Sequence, residues 1–208
     1  MAIGVLAGAV VLWGALHSWL ASLRAKAAAQ RTLGATGSRW YRLAYNAFAA
    51  VSFVPVLVLL KALPDQGLYA VRPPWLYLML AGEGAAAILL LFGLLQTDPI
   101  DFIGLREKHG NDPSARLITT GFYRWVRHPL YLFGLLLLWL TPVMTVNLLT
   151  VFLLLTAYIF IGAAFEERRL VQEFGSAYTE YRRRTPMIFP VPLFKPRNGS
   201  DTGVSPKQ

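Results

Sequence analysis

Two short clusters in this sequence carry residue types that do chemistry. One is Arg127-His128-Pro129-Leu130-Tyr131 and the other is Glu166-Glu167. Proline suits the first turn of a helix, where its missing N–H is not needed, so the first cluster predicts a helix opening at Pro129. The unpaired N–H groups of such a turn, with the positive end of the helix dipole, attract an anion. Arg127 and His128 add donors at the same place, and the Tyr131 hydroxyl lies on the next part of that turn. The acidic pair ends a later apolar helix, where the dipole opposes negative charge and favours a partner cation. Arg168 and Arg169 could supply it, and so could a positively charged ligand. An anion-accepting helix start beside a carboxylate matches a zwitterion such as an amino-acid moiety. The same residues also match a charged cap at a membrane interface.

A helical hairpin would bring the two clusters together. The apolar stretch from Leu130 to Phe165 is about twice the roughly 20 residues that one membrane span needs. Thr141-Pro142-Val143-Met144-Thr145 sits near its middle and marks a turn. Arms of similar length would set His128 and Glu166 at one level. Three more apolar runs precede it, over about 2–23, 43–63 and 75–95; Pro55 interrupts the second and Glu83 lies inside the third. The first run has no basic stretch before it and is too long for a signal sequence, so it reads as a retained helix. The expected fold is all-α, an integral membrane protein with about five transmembrane helices and a cytoplasm-facing cofactor pocket. The membrane domain is expected over 1–190, with its motif-bearing core over 98–190 and a disordered tail over 191–208.

Composition supports this architecture. Of the 208 residues, 55% are hydrophobic and 15% charged, which excludes an intrinsically disordered chain. The 20 Lys and Arg outnumber the 11 Asp and Glu, giving a net charge of +9. Long uncharged apolar runs argue against a nucleic-acid partner, so the charge reads as a one-sided membrane distribution. Arg24, Lys26, Arg31, Arg39 and Arg42 follow the first run. Arg106, Lys108, Arg116, Arg124 and Arg127 follow the third, and Arg168, Arg169 and Arg182–Arg184 follow the last. This alternation predicts five spans with the N-terminus outside and the C-terminus in the cytoplasm, and the expected location is a bacterial inner membrane. There is no cysteine, so disulfides, thiolate metal sites and Cys nucleophiles are excluded. With His17, His109 and His128 as the only histidines, no metal site is expected.

Two intramembrane polar residues have two readings each. His17 near the end of the first run either contacts a ligand or hydrogen-bonds a neighbouring helix. Glu83 either touches a ligand or donates to another helix, in its neutral form. Gly82, Gly84, Ala85, Ala86 and Ala87 predict a close-packing helix face.

A set of ordered elements resembles a known family. They are Gly121-Phe122-Tyr123, Arg127-His128-Pro129-Leu130-Tyr131, Glu166-Glu167, Phe174-Gly175, Tyr178, Tyr181-Arg182-Arg183-Arg184 and Thr185-Pro186. Together they are similar to the isoprenylcysteine carboxyl methyltransferase and phospholipid methyltransferase superfamily, over about Asp98 to Pro190. Asp101-Phe102-Ile103-Gly104-Leu105-Arg106-Glu107 and Thr156-Ala157-Tyr158-Ile159 resemble the bacterial methanethiol S-methyltransferase branch. His17-Ser18 and Tyr41-Arg42-Leu43-Ala44-Tyr45-Asn46 resemble that branch and the related NnrU membrane proteins.

The resemblance implies an enzyme that uses S-adenosylmethionine. It implies a cofactor site of Leu117, Ile118, Tyr123, His128, Pro129, Leu130, Tyr131 and Glu166, with the loop residues Ala115 and Arg116 lining the cofactor too. Glu173 is expected on a surface helix, away from that site. Carboxyl methyltransferases of this superfamily place an Arg about one turn before the acidic pair; Gly162 stands there in this chain. A substrate carboxylate would miss its partner, which favours a small or lipophilic thiol acceptor.

Methyl transfer from a sulfonium needs alignment of nucleophile, methyl and leaving sulfur more than it needs acid–base groups. A thiolate requires only a site that favours its ionised form. Arg127, Arg106 and His17 are the candidates for that. A neutral lipid amine would need a base, for which Glu83 and Glu167 are the candidates. The alternative acceptors are a prenylcysteine carboxylate and a phospholipid amine. The alternative of another class is a non-catalytic, NnrU-like membrane protein.

Overall fold

A computed structural model describes residues 1–96 and 117–190. Arg106, Ala115, Arg116, His109 and the tail over 191–208 lie outside the described residues. Helix α1 runs over Ala2–Ala21 and α2 over Leu23–Ala62. Between them Ser22 accepts a hydrogen bond from the Ala25 N–H at 3.2 Å, an N-cap that lets the chain turn at once. Helix α2 is interrupted at Gly34, whose φ of 67° and ψ of −165° only glycine adopts without strain. Its part after the kink, Leu43–Ala62, is long and apolar enough to cross a membrane. Pro64 follows the end of that helix, and strand β1 covers Gly67–Ala70.

Helix α3 spans Trp75–Gln96, a 3-10 turn spans Gly121–Arg124, and helix α4 spans Pro129–Trp139. Strand β2 is Val143–Thr145, followed by α5 over Val146–Phe174 and α6 over Ser176–Arg184. Among the described residues the fold is helical as expected, with one small addition, β1 and β2, which pair antiparallel.

Among the described residues four helices have the length and composition to cross a membrane, and α4 is a shorter apolar one. Its 11 residues reach only about 16 Å. The hairpin arms therefore differ in kind. Pro142 lacks an N–H and biases the residue before it toward an extended backbone, so α4 stops near Leu140. Beyond it β2 runs extended over Val143–Thr145 at about 3.3 Å per residue, and this adds to the reach.

Packing makes two groups. Leu6 and Val10 of α1, Val56 of α2 and Val151 of α5 form one core cluster. Leu135 of α4, Ala163 of α5 and Ile188 beyond α6 form another. Helix α3 lies antiparallel on α4 through its small residues. A Cβ at Gly82 would stand 3.0 Å from Leu140, and one at Gly93 would stand 2.8 Å from Leu130. Ala86 is buried on the same helix, whereas a Cβ at Gly84 would meet nothing, so the close face is narrower than expected. Large apolar side chains such as Val51, Leu78 and Ile88 are 64–70% exposed, an outer surface that suits lipid.

Candidate functional site

The site is assembled where the chain enters α4. Gly121 adopts a φ of 62°, which turns the backbone into the short 3-10 segment. Phe122 then wedges edge-on between Phe92 and Phe133, at 6.0 and 5.1 Å. Next, the Arg127 and His128 N–H groups donate to the Pro186 and Met187 carbonyls at 2.9 and 3.0 Å. The start of α4 is thus strapped to the segment after α6. Its first turn leaves the N–H groups of Leu130 and Tyr131 without a helical carbonyl to bond.

The two glutamates point to different places. Glu167 turns inward and its carboxylate is fully engaged. Arg127 Nε donates to Oε1 at 2.7 Å and Nη2 donates to Oε2 at 3.0 Å. The Tyr178 hydroxyl donates to Oε1 at 2.7 Å, and His128 Nε2 lies 3.1 Å from the same oxygen. Both members of the Arg127–Glu167 pair have side chains only 9% exposed. The Arg127 Nη1 donates to the Arg182 and Thr185 carbonyls. The partner cation of the acidic pair is therefore Arg127, with His128 beside it. Arg168 lies over the Phe165 ring instead, and Arg169 pairs with Glu173.

Glu166 faces a cleft of about 430 Å³. Its Oε2 accepts a hydrogen bond from the Tyr131 hydroxyl at 2.8 Å and lies 3.6 Å from His128 Nδ1. The buried His128 ring, stacked on Tyr131 at 5.3 Å, thus stands between the two carboxylates. Leu117, Ile118, Tyr123, His128, Pro129, Leu130, Tyr131 and Glu166, singled out from the sequence, all line this cleft. Arg127 lines it too, and Glu167 does not.

The other candidates lie elsewhere. Gly82 packs at the Leu140 end of α4, and Gly93 packs at the Leu130 end, about 16 Å away along α3. Glu83 is next to Gly82 and therefore at the far end from the cleft. His17 belongs to a cluster between α1, α2 and α5, and its Nε2 lies 2.6 Å from the Tyr45 hydroxyl.

Sequence reasoning missed part of the lining. Arg169, Leu170, Glu173, Phe174, Tyr178 and Tyr181 also form its wall. Glu173 was expected on a surface helix away from the site; it is on the cleft face. The signal was present, because 166, 169, 170, 173 and 174 repeat at the spacing of one helix face.

The phenols of this wall are held in their neutral form. Burial, and then the nearby Glu166 charge, raise the pKa of Tyr123. Burial likewise pushes Tyr181 up to about 12, and its hydroxyl donates to the Tyr123 carbonyl. Burial and the bond to Glu167 raise Tyr178 well beyond the ordinary tyrosine range. The cleft therefore offers neutral aromatic walls, a carboxylate on one side and free helix N–H groups on the other. Among the described residues no group of three or more His, Asp or Glu could hold a metal ion.

Comparison with known proteins fits this arrangement. A family model described as phospholipid methyltransferase matches residues 84–177. Methanethiol S-methyltransferase 2 of Bradyrhizobium diazoefficiens is 43% identical over 115 residues, 53% of this chain and 44% of that protein. The methanethiol S-methyltransferase of Crocosphaera subtropica is 34% identical over 108 residues, 50% of this chain and 42% of that protein. The methanethiol S-methyltransferase of Pseudomonas sp. (strain GM41(2012)) is 31% identical over 193 residues, 87% of this chain and 70% of that protein. The chain thus spans less than half the length of the first two relatives. No solved structure matches it.

Proposed function

We infer the activity from one premise: the chain belongs to the phospholipid methyltransferase superfamily, in the branch of the methanethiol S-methyltransferases. The reading is a membrane methyltransferase that moves a methyl group from S-adenosylmethionine to a small thiol. The observation that carries it is the cleft between Glu166 and the start of α4. Its size lies within the usual range for small-molecule sites, roughly 300–1,000 Å³.

The residues suit the proposed donor. Glu166 would hold the α-ammonium group, since one side of its carboxylate is fixed by Tyr131 and the side chain is 41% exposed. The Leu130 and Tyr131 N–H groups, aided by the α4 dipole, would hold the α-carboxylate. Tyr123 and Phe174 would flank the rest of the molecule, and a neutral ring face also favours a sulfonium charge. Bound there, S-adenosylmethionine supplies an electrophilic methyl group. The protein's part is to align the acceptor with that methyl and to exclude water.

The acceptor reading rests on two observations beside the relatives' names. A Cβ at Gly162 would meet nothing within 4 Å, so that position carries no clamp for a carboxylate. Glu83, a candidate base for an amine, is at the other end of the bundle. The cleft end gathers Arg124, Arg127, Arg168, Arg169 and Arg182–Arg184, which supports a cytoplasmic cleft and an external N-terminus in an inner membrane. The test is incubation of the purified full chain with methyl-labelled S-adenosylmethionine and three acceptor pools. Label is expected in alkyl thiols. Label in phospholipid or prenylcysteine alone would overturn the acceptor reading, and no label in any pool would overturn the enzyme.

A further inference from the structure

Beyond the cleft, one half-buried cluster is more polar than helix packing requires. Trp13, His17 and Ser18 of α1 meet Tyr45 of α2 and Tyr158 of α5 in segments that are otherwise largely apolar. The His17 ring is stacked on Trp13 at 5.2 Å, and Tyr158 approaches it edge-on at 6.0 Å. Gly14 makes room for Tyr158, because a Cβ there would stand 3.2 Å from its ring. The imidazole is therefore fixed in orientation. One of its nitrogens is spoken for, with Nε2 lying 2.6 Å from the Tyr45 hydroxyl. The other, Nδ1, is buried and has no hydrogen-bond partner among the described residues. Buried polar atoms are nearly always paired, so an exception points to a group that something else completes.

The cluster neighbours Tyr131 of the cleft. The Tyr131 hydroxyl, bonded to Glu166, is within electrostatic reach of Tyr158 and Tyr45. On its other side, Tyr45 joins Leu16, Leu20, Tyr41 and Phe48 in an apolar groove of about 330 Å³. Such a groove admits a small uncharged molecule more readily than an ion.

We propose that His17 and Tyr45 form the acceptor subsite, in which the sulfur of a small thiol docks at His17 Nδ1 and gives up its proton there. This rests on the thiol methyltransferase reading above. With Nε2–H donating to the Tyr45 oxygen, Nδ1 presents a lone pair to the thiol. The S–H bond breaks and its proton passes to Nδ1. The sulfur's electron pair then forms the new S–CH3 bond. The bond between that methyl and the sulfonium sulfur breaks, and its electrons stay on the leaving sulfur. Two neutral thioethers result, and the proton leaves His17 for water. Tyr45 fixes the tautomer and is a positioning residue.

The test compares two thiols of different acidity. Ethanethiol is protonated at neutral pH, whereas pentafluorothiophenol is already ionised. His17→Gln is expected to lower kcat/KM on ethanethiol by about 100-fold, within the usual range for general-base catalysis. On the arylthiol the same variant should lose less than about 5-fold. An equal loss on both thiols would overturn the proposal and leave His17 as packing. Titration of S-adenosylmethionine into the variant checks that the fold and the donor site survive. If His17→Gln does not fold, Tyr45→Phe carries the same comparison, with about a 10-fold loss expected on ethanethiol alone.

A readout without catalysis is the 15N signal of the His17 ring in labelled protein. It should move when ethanethiol is added without donor. A still signal would overturn the subsite. If wild type methylates neither thiol, the underlying activity fails as well; if it methylates both and the variant loses equally, only the role of His17 fails.

Discussion

Neighbouring glutamates should fail in opposite ways. Glu167→Gln removes the charge facing Arg127 where both side chains are 9% exposed. Removing one partner of a buried pair leaves an uncompensated ion, at a cost of about 3–5 kcal/mol. The amide still accepts one bond from Arg127, so the expected loss is near about 3 kcal/mol. For a chain of this size that lowers the unfolding midpoint by about 6–12 °C. Glu166→Gln leaves the acceptor for the Tyr131 hydroxyl in place, on a side chain 41% exposed. Its stability loss should stay below about 1 kcal/mol. It should instead weaken S-adenosylmethionine by about 10- to 100-fold, the loss of one charge-assisted bond. Glu180→Gln, at an exposed pair with Arg184, should change neither quantity. Thermal unfolding in detergent reads the first effect and titration calorimetry the second. Equal midpoint shifts for Glu166→Gln and Glu167→Gln would refute the division of labour between them.

Further outcomes follow from particular geometries. Burial would raise the pKa of Asp65, but bonds from the Thr145 hydroxyl and the Asn147 and Gln66 N–H groups outweigh it and hold it below 3.8. A lowered folded pKa stabilises fully above the ordinary value and is lost as pH falls through the folded one. Unfolding scans between pH 5 and about 2 should therefore show an acid-side decline that Asp65→Asn reduces. Gly34→Ala should destabilise by about 1–3 kcal/mol, because φ 67° and ψ −165° lie where only glycine is at ease; an unchanged midpoint would rule out this kink. Gly162→Ala should gain about 0.5–1 kcal/mol with thiol methylation intact, since the added Cβ meets nothing within 4 Å.

The spans were legible because lipid imposes a simple rule on long apolar runs. The expected 75–95 run appears as α3 over Trp75–Gln96, and the 43–63 run ends at Ala62. The hairpin was legible at Pro142, but the short α4 was not. Its end depends on residues 143–145 pairing with β1, which lies more than 70 positions earlier. The cleft's two walls could be read as a helix start and an acidic helix end. Which glutamate faces inward could not, because adjacent helix residues differ by about 100° and only the docking of Arg127 selects one. Tyr178 was noted as a motif residue, but its burial against Glu167 follows from the turn at Gly175, a tertiary arrangement with no local pattern. His17 showed its chemistry in sequence and its partner only in space.

The most direct measurement is the stoichiometry of methyl transfer by the full chain in lipid nanodiscs. S-adenosylmethionine labelled in its methyl group is supplied with methanethiol, and dimethyl sulfide is collected from the headspace. The account predicts one labelled dimethyl sulfide for each donor consumed, with the Glu166→Gln variant needing about 10- to 100-fold more donor for the same rate. Donor consumed without labelled sulfide, or a Glu166→Gln variant with an unchanged donor requirement, would contradict it.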